Sequence, residues 1–215
     1  MSLRDQLAGN RLRMNAEVRA VYEAMVAELA RSGLIDTVLA VGQRFPDVAL
    51  PTAEGGLVRL SDWWREGPLV VTFFRGEWCP YCRLMLAALQ EALPEIEALG
   101  ARLVAVTPDT GGRALAAKEH HGEQYEVLSD VDCGLGLGCG VVFQTPPIYR
   151  KLLLSYGNDL AERHGNTAWF LPLPATFVVD REGVVRWRFA EVDFTRRAEP
   201  ADVIAALRQL AAPSD

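Results

Sequence analysis

Between residues 10 and 32, apolar side chains fall at Met14, Val18, Val21, Tyr22, Met25 and Leu29, with arginines and glutamates between them. That spacing predicts an amphipathic helix, and Ser32-Gly33 is its stop signal. The helix precedes the core of the chain and is read in two ways, as an arm packed on the domain or as a homodimer contact. Residues 48–50 and 57–60 alternate around Gly55-Gly56 and predict a short hairpin. Ser61 is placed to cap a helical turn through Trp63 and Trp64, which Gly67-Pro68 ends.

Residues 69–74 form an uninterrupted apolar run, the pattern of a strand buried on both faces. After Cys79, Leu84, Leu86, Leu89, Leu93, Ile96 and Leu99 mark a long helix, with Pro94 expected to kink or restart it. Residues 102–106 are the next strand, so this is a βαβ unit with parallel strands. A helix over 112–121, a short strand at 125–128, a helix from Pro146-Pro147 through Tyr156 and an irregular loop over 157–173 follow. Residues 175–180 and 184–190 flank Asp180-Arg181-Glu182-Gly183 as a hairpin, and a helix over 200–210 closes the chain. The tally of βαβ then ββα predicts one α/β domain over residues 42–215 behind a helical extension at 1–41.

Half of the 215 residues are hydrophobic, enough for one substantial core. A net charge of −6 and a pI near 5.2 argue against nucleic-acid or anionic-membrane partners. The sequence has no run long enough to cross a bilayer and no apolar run behind its first charges, so a cytoplasmic protein is expected. Gly134, Gly136, Gly138 and Gly140 do not have the spacing of a dinucleotide fingerprint and are read as a loop or ragged helix. No cofactor is expected.

The chemistry concentrates in Phe73-Phe74-Arg75-Gly76-Glu77-Trp78-Cys79-Pro80-Tyr81-Cys82, where a strand ends and a helix begins. A helix N-terminus carries unpaired N–H groups and partial positive charge. A thiolate there is stabilised and becomes nucleophilic near neutral pH. Cys79 and Cys82, one turn apart, therefore read as a redox dithiol. A zinc site would need Cys133 and Cys139, whose spacing suits it poorly, so no metal is expected. Those two cysteines are read as buried hydrophobes, with an auxiliary resolving role as the alternative. Arg75 is either a solvated loop residue or a cation that lowers a thiol pKa. Trp78 is expected at the substrate-facing rim. His120 and His121 are expected to face solvent, and nothing in the spacing recruits His164.

The segment Glu77 to Cys82 resembles a thioredoxin active-site loop with a glutaredoxin-type Pro80-Tyr81 between the cysteines. Leu173-Pro174-Ala175-Thr176-Phe177 resembles the superfamily's proline loop, which implies a cis Pro174 facing the dithiol. Within the superfamily, the Arg-Gly-x-Trp-Cys-Pro-Tyr-Cys stretch, residues 103–110 and residues 174–187 resemble the peroxiredoxin-like branch of the AhpC/TSA family, over roughly residues 42–211. The resemblance implies a thioredoxin-like fold, a central mixed sheet flanked by helices. It also implies an antioxidant oxidoreductase that reduces hydroperoxides and is recycled by a thioredoxin- or glutathione-type reductant. The departures are specific. Aligning Cys82 with the family's peroxide-attacking cysteine puts Arg75 at its proline, Cys79 at its threonine and Pro174 at its arginine, so the partners that activate peroxide there are missing. Aligned with thioredoxin, Cys79 is the nucleophile, and Phe73 occupies the place of the buried acid. The two alignments leave open which cysteine is attacked first. They also leave room for disulfide exchange with a disulfide substrate, and for a redox sensor that turns over nothing.

Overall fold

In the computed structural model, residues 1–121 and 124–211 are described. The expectation for His120 and His121 concerns side chains outside the described residues. The core is a five-stranded mixed sheet whose strands lie in the order Glu126–Ser129, Arg102–Thr107, Leu69–Phe73, Thr176–Val179 and Val185–Phe189.

Strand β3 (Leu69–Phe73) is buried at every position, which its Leu, Val, Thr and Phe side chains permit on both faces. It pairs in parallel with β4 (Arg102–Thr107), from Leu69 opposite Arg102 to Phe73 opposite Val106. Between them runs α5 (Pro80–Ala98), which buries Tyr81, Cys82, Met85, Leu86, Leu89, Leu93 and Ile96 along one stripe. The helix continues past Pro94 as one element. Pro94 itself is exposed. Beyond α6 (Arg113–His121), β5 (Glu126–Ser129) extends the parallel half. Strands β8 (Thr176–Val179) and β9 (Val185–Phe189) form the expected hairpin, with β8 antiparallel to β3. The final helix α10 (Pro200–Ala211) packs on α5 and β9.

Ahead of the sheet, β1 (Ala49–Pro51) and β2 (Leu57–Arg59) make the expected small hairpin. In the following turn, α4 (Leu60–Trp64), the Ser61 side chain makes no cap; its backbone N–H is held by Asp47 instead. The glycine-rich segment folds as a 3-10 turn (Val131–Cys133) running into α7 (Gly134–Gly138). The Asp130 carboxylate accepts both the Leu135 and Gly136 N–H groups. The stretch over 157–173 is more ordered than its composition suggests. It holds α9 (Leu160–His164) and β7 (Phe170–Pro172), the latter paired with β6 (Val142–Gln144) after α8 (Pro147–Ser155) intervenes.

The N-terminal extension is two helices, not the single helix its periodicity predicts. Helix α1 (Leu3–Leu12) starts in a Ser2–Asp5 capping box, and α2 (Ala16–Arg31) starts at Asn15, whose side chain accepts the Val18 N–H. The short turn α3 (Leu34–Thr37) follows. Apolar spacing continues across residues 13–15, but Asn15 takes a cap conformation and splits the helix. Helix α1 packs on α5 and α2 on α8, with Leu3, Leu7, Met25 and Leu29 buried. Arg11 pairs with Asp193 at 3.1 Å, and the Arg4 N–H donates to Glu199 at 2.6 Å. The extension is thus an arm laid over the domain. No described helix is long and apolar enough to cross a membrane.

Candidate active site

Strand β3 ends at Phe73, and the chain must reverse before α5 begins. Gly76 makes the turn at φ +134°, a conformation that L side chains rarely adopt. A Cβ there would meet the Trp78 indole and come within 2.8 Å of an Asp109 carboxylate oxygen. The turn delivers Cys79 to the N-cap position of α5, with Pro80 in the first helical turn. The Cys82 N–H donates to the Cys79 carbonyl at 3.0 Å. Both cysteines are free and both are fully buried.

Arg75, 1 % exposed, organises the sulfurs. One guanidinium nitrogen donates to the Cys79 sulfur at 3.0 Å and another to the Tyr149 hydroxyl at 2.8 Å. Its backbone N–H reaches the Cys82 sulfur at 3.5 Å. The guanidinium carbon sits 4.1 Å from the Phe194 ring centre and 5.2 Å from that of Trp78. Tyr22 of α2 closes this cage edge-on, with ring centres 5.5 Å from Tyr149 and 4.8 Å from Phe194. A second buried arginine, Arg197, donates to the Cys82 sulfur at 3.7 Å. Among the described residues neither guanidinium pairs with a carboxylate; their acceptors are sulfurs, a phenol and a backbone carbonyl.

The two thiols are driven apart. Burial alone would raise the Cys79 pKa, but the hydrogen bond from Cys82 and the charges of Arg75 and Arg197 outweigh it and hold the thiol well below its ordinary value. Burial, the hydrogen bond it gives to Cys79 and repulsion by that neighbour push Cys82 well above its own. Burial is the largest single influence on Arg75 and lowers its pKa, but Cys79, Tyr149, Cys82 and Tyr22 together raise it by more, so the guanidinium stays charged. The pair is therefore a Cys79 thiolate accepting from a Cys82 thiol. Such an arrangement supplies one nucleophile and one protonated sulfur ready to follow.

The other sites predicted from sequence are placed as follows. Trp78 is partly buried, Pro80 is exposed and Tyr81 is buried; among the described residues the Trp78 indole N–H and the Tyr81 hydroxyl have no hydrogen-bond partner. Every peptide bond among the described residues is trans, which corrects the cis expectation at Pro174. The trans form is the ordinary preference by about 0.5–1 kcal/mol. Here the chain runs extended through it, with Leu173 N–H bonded to Val141 and the Ala175 carbonyl to Phe73. Cys133 and Cys139 are buried in the turn and helix before β6. Burial and the charges of Asp130 and Asp132 push Cys133 up to about 12, and burial with Asp130 raises Cys139 as well, so both favour the inert thiol. Among the described residues, no three His, Cys, Asp or Glu side chains form a group that could hold a metal ion.

Sequence reasoning missed Arg197, Tyr149, Phe194 and Tyr22, which come from distant elements and carry no local motif. It also missed Asp109, for which a signal existed. Asp109 follows β4, and the carboxyl ends of adjacent parallel strands share one crevice, which places it beside the loop after β3. Its buried carboxylate accepts two hydrogen bonds from Arg163, at 3.1 and 2.8 Å. His164 ends α9 rather than lying in a loop; it is buried, its Nε2 is 3.7 Å from Asp109, and among the described residues that nitrogen makes no hydrogen bond. Burial and the charges of Arg163 and Arg113 lower its pKa to about 4.

The AhpC/TSA family model matches residues 41–188, about two thirds of the chain. The chain belongs to the AhpC/TSA family. Peroxiredoxin bcp1 of Schizosaccharomyces pombe is 26% identical over 106 residues, covering 49% of this chain and 54% of that protein. The chain thus spans about half the length of this curated relative. A putative peroxiredoxin of Mycobacterium tuberculosis is 25% identical over 150 residues, 69% of this chain and 83% of that one. Among solved structures, the peroxidoxin BcpB of M. tuberculosis superposes with a TM-score of 0.63 at 20% identity, over 80% of this chain and 98% of its own. Peroxiredoxin Q of Xanthomonas campestris gives 0.60 at 22%, over 82% and 99%. These likenesses establish the thioredoxin-like peroxiredoxin fold. The family match begins at residue 41, after α1 and α2, so the arm lies outside it.

Proposed function

We propose that this protein is a thiol-dependent peroxidase in which Cys79 is oxidised first and Cys82 resolves it. The carrying observation is the Cys79 sulfur, buried yet accepting a hydrogen bond from the Arg75 guanidinium at 3.0 Å, which with the Cys82 hydrogen bond favours its thiolate form. Cys79 attacks the terminal oxygen of a hydroperoxide: an S–O bond forms, the O–O bond breaks, and the leaving alkoxide takes a proton to become the alcohol. Cys79 is then a sulfenic acid. Cys82 attacks its sulfur, the S–S bond forms, the S–O bond breaks, and hydroxide leaves with the Cys82 proton as water. A thioredoxin- or glutathione-type thiol returns the disulfide to two thiols, with two electrons delivered per peroxide reduced.

The full burial of both sulfurs favours a small oxidant over a protein disulfide as first partner. Four free cysteines fit a reducing compartment such as the cytoplasm. The missing family residues are answered by other groups: Arg75 and Arg197 supply the positive field that the aligned positions lack. Rapid mixing of reduced protein with hydrogen peroxide tests the reading. Oxidation far faster than that of a free thiol, with two thiols lost per chain, is expected. Oxidation at the free-thiol rate, with fast exchange against a protein disulfide, would replace it with a disulfide oxidoreductase.

A further inference from the structure

Helix α1 closes a cavity of about 270 Å³ against the segment that follows β9, near the lower end of the ~300–1,000 Å³ of small-molecule sites. Four arginines line it, Arg4 and Arg11 from the helix and Arg196 and Arg197 from the domain, against one carboxylate, Asp193. Arg11 pairs with Asp193 at 3.1 Å, and Arg196 pairs with Glu191 at 2.8 Å. Glu199 accepts the Arg4 backbone N–H rather than its guanidinium. Among the described residues, the Arg4 and Arg197 guanidinium groups are thus left without a carboxylate. Arg197 is 5 % exposed, and a buried charge without a counter-charge is strongly unfavourable. It also joins the cavity to the dithiol, since it donates to the Cys82 sulfur at 3.7 Å. Two buried guanidiniums, Arg75 and Arg197, therefore face a sulfur pair that carries one negative charge when reduced and none once a disulfide has formed. The cavity is where an ion from solution can meet the charge left over.

We propose that this cavity binds a phosphate group between Arg4 and Arg197, and binds it more tightly when the dithiol is oxidised. Guanidinium forks match phosphate oxygens two at a time, and two unpaired cations match a dianion. Leu7, Ala8 and Phe189 complete the wall, so the organic body of a small phosphate ester fits beside the charged group. The coupling is reciprocal: an anion that prefers the disulfide also stabilises it, and in the reduced protein it opposes ionisation of Cys79. Half of the site comes from the arm, which precedes the family-matched region. The inference rests on the Cys79–Cys82 dithiol and not on peroxide as its oxidant.

Phosphorus NMR titration of the full-length protein tests this, with inorganic phosphate and glycerol phosphate as probes and chloride holding the ionic strength constant. Three forms are compared: reduced with dithiothreitol, oxidised with diamide, and Cys79→Ser, which removes the charge without needing a disulfide. Saturable binding is expected, tighter by about fivefold or more in the oxidised protein and in Cys79→Ser than in the reduced protein. The tighter of the two probes tells whether the free ion or an ester is the better occupant. Arg4→Gln removes an exposed cation of the cavity and should weaken binding about tenfold. Its oxidation by hydrogen peroxide, measured without phosphate, should match the wild type. No saturable binding of either probe overturns the inference, as does binding that Arg4→Gln leaves unchanged. Equal affinity in all three forms removes the link through Arg197 and overturns it too. Wild-type protein inert toward peroxide would overturn the peroxidase reading and leave these affinities standing.

Discussion

Arg75→Met isolates the interaction on which the chemistry depends. Methionine keeps much of the side chain's length and its packing against Phe194 and Trp78, while removing the charge from a site where it is fully buried. The guanidinium lies 3.0 Å from the Cys79 sulfur at its nearest nitrogen, with its charge spread farther back. Unit charges about 4 Å apart at an effective dielectric of about 20 interact by roughly 4 kcal/mol, or about three pKa units. The Cys82 hydrogen bond and Arg197 remain, and so does the burial that opposes ionisation. The Cys79 pKa should therefore rise, because burial then opposes ionisation with one fewer positive charge beside the sulfur. Thiolate ultraviolet absorbance followed against pH measures it directly, and the pH profile of alkylation gives an independent reading. The folded pKa of Cys79 lies below its unfolded value, so its contribution to stability is complete above about 8.5 and is lost as pH falls through the folded value. Arg75→Met should flatten that slope in denaturant titrations of the reduced protein. A Cys79 pKa within about half a unit of wild type would refute the claim that Arg75 makes the thiolate.

Other perturbations separate the roles of the neighbours. Cys82→Ser should leave Cys79 as a sulfenic acid that a dimedone-type reagent traps, whereas Cys79→Ser should abolish fast oxidation; trapping at Cys82 instead would reverse their order. Gly76→Ala must place a methyl group against the Trp78 indole at φ +134°, so oxidation by hydrogen peroxide should slow by about tenfold or more, read by rapid mixing. His164 is lowered from 6.5 to about 4, so the unfolded chain takes a proton that the folded chain refuses as pH falls through that window. Stability should drop by roughly 3 kcal/mol across it, and His164→Gln should remove most of that drop in urea titrations at each pH.

Much of the fold is written in local pattern. Period-two and all-apolar runs place β3, β4, β8 and β9, and the 3.6-residue stripe of α5 fixes which face meets the sheet. The strand-turn-helix setting of Cys79-Pro80-Tyr81-Cys82 likewise follows from the sequence, because it depends on residues adjacent in the chain. β6, β7 and α9 escape such reading: they are short, no turn signal joins them to a sequence neighbour as in the hairpins, and tertiary pairing creates them. The split between α1 and α2 turns on the single cap at Asn15, which apolar spacing passes over.

The amino-acid sequence by itself determined that a dithiol sits at a helix N-terminus in an α/β domain. It could not say which sulfur carries the charge, since both cysteines lie within one turn of the helix N-terminus. Tertiary structure decided that by bringing Arg75 onto Cys79, Arg197 from 115 residues beyond Cys82, and Tyr149, Phe194 and Tyr22 around the guanidinium. Coulombic and hydrogen-bond effects act through a few ångströms of space regardless of chain separation. For that reason the surroundings that distinguish the two sulfurs become legible only once the chain has folded.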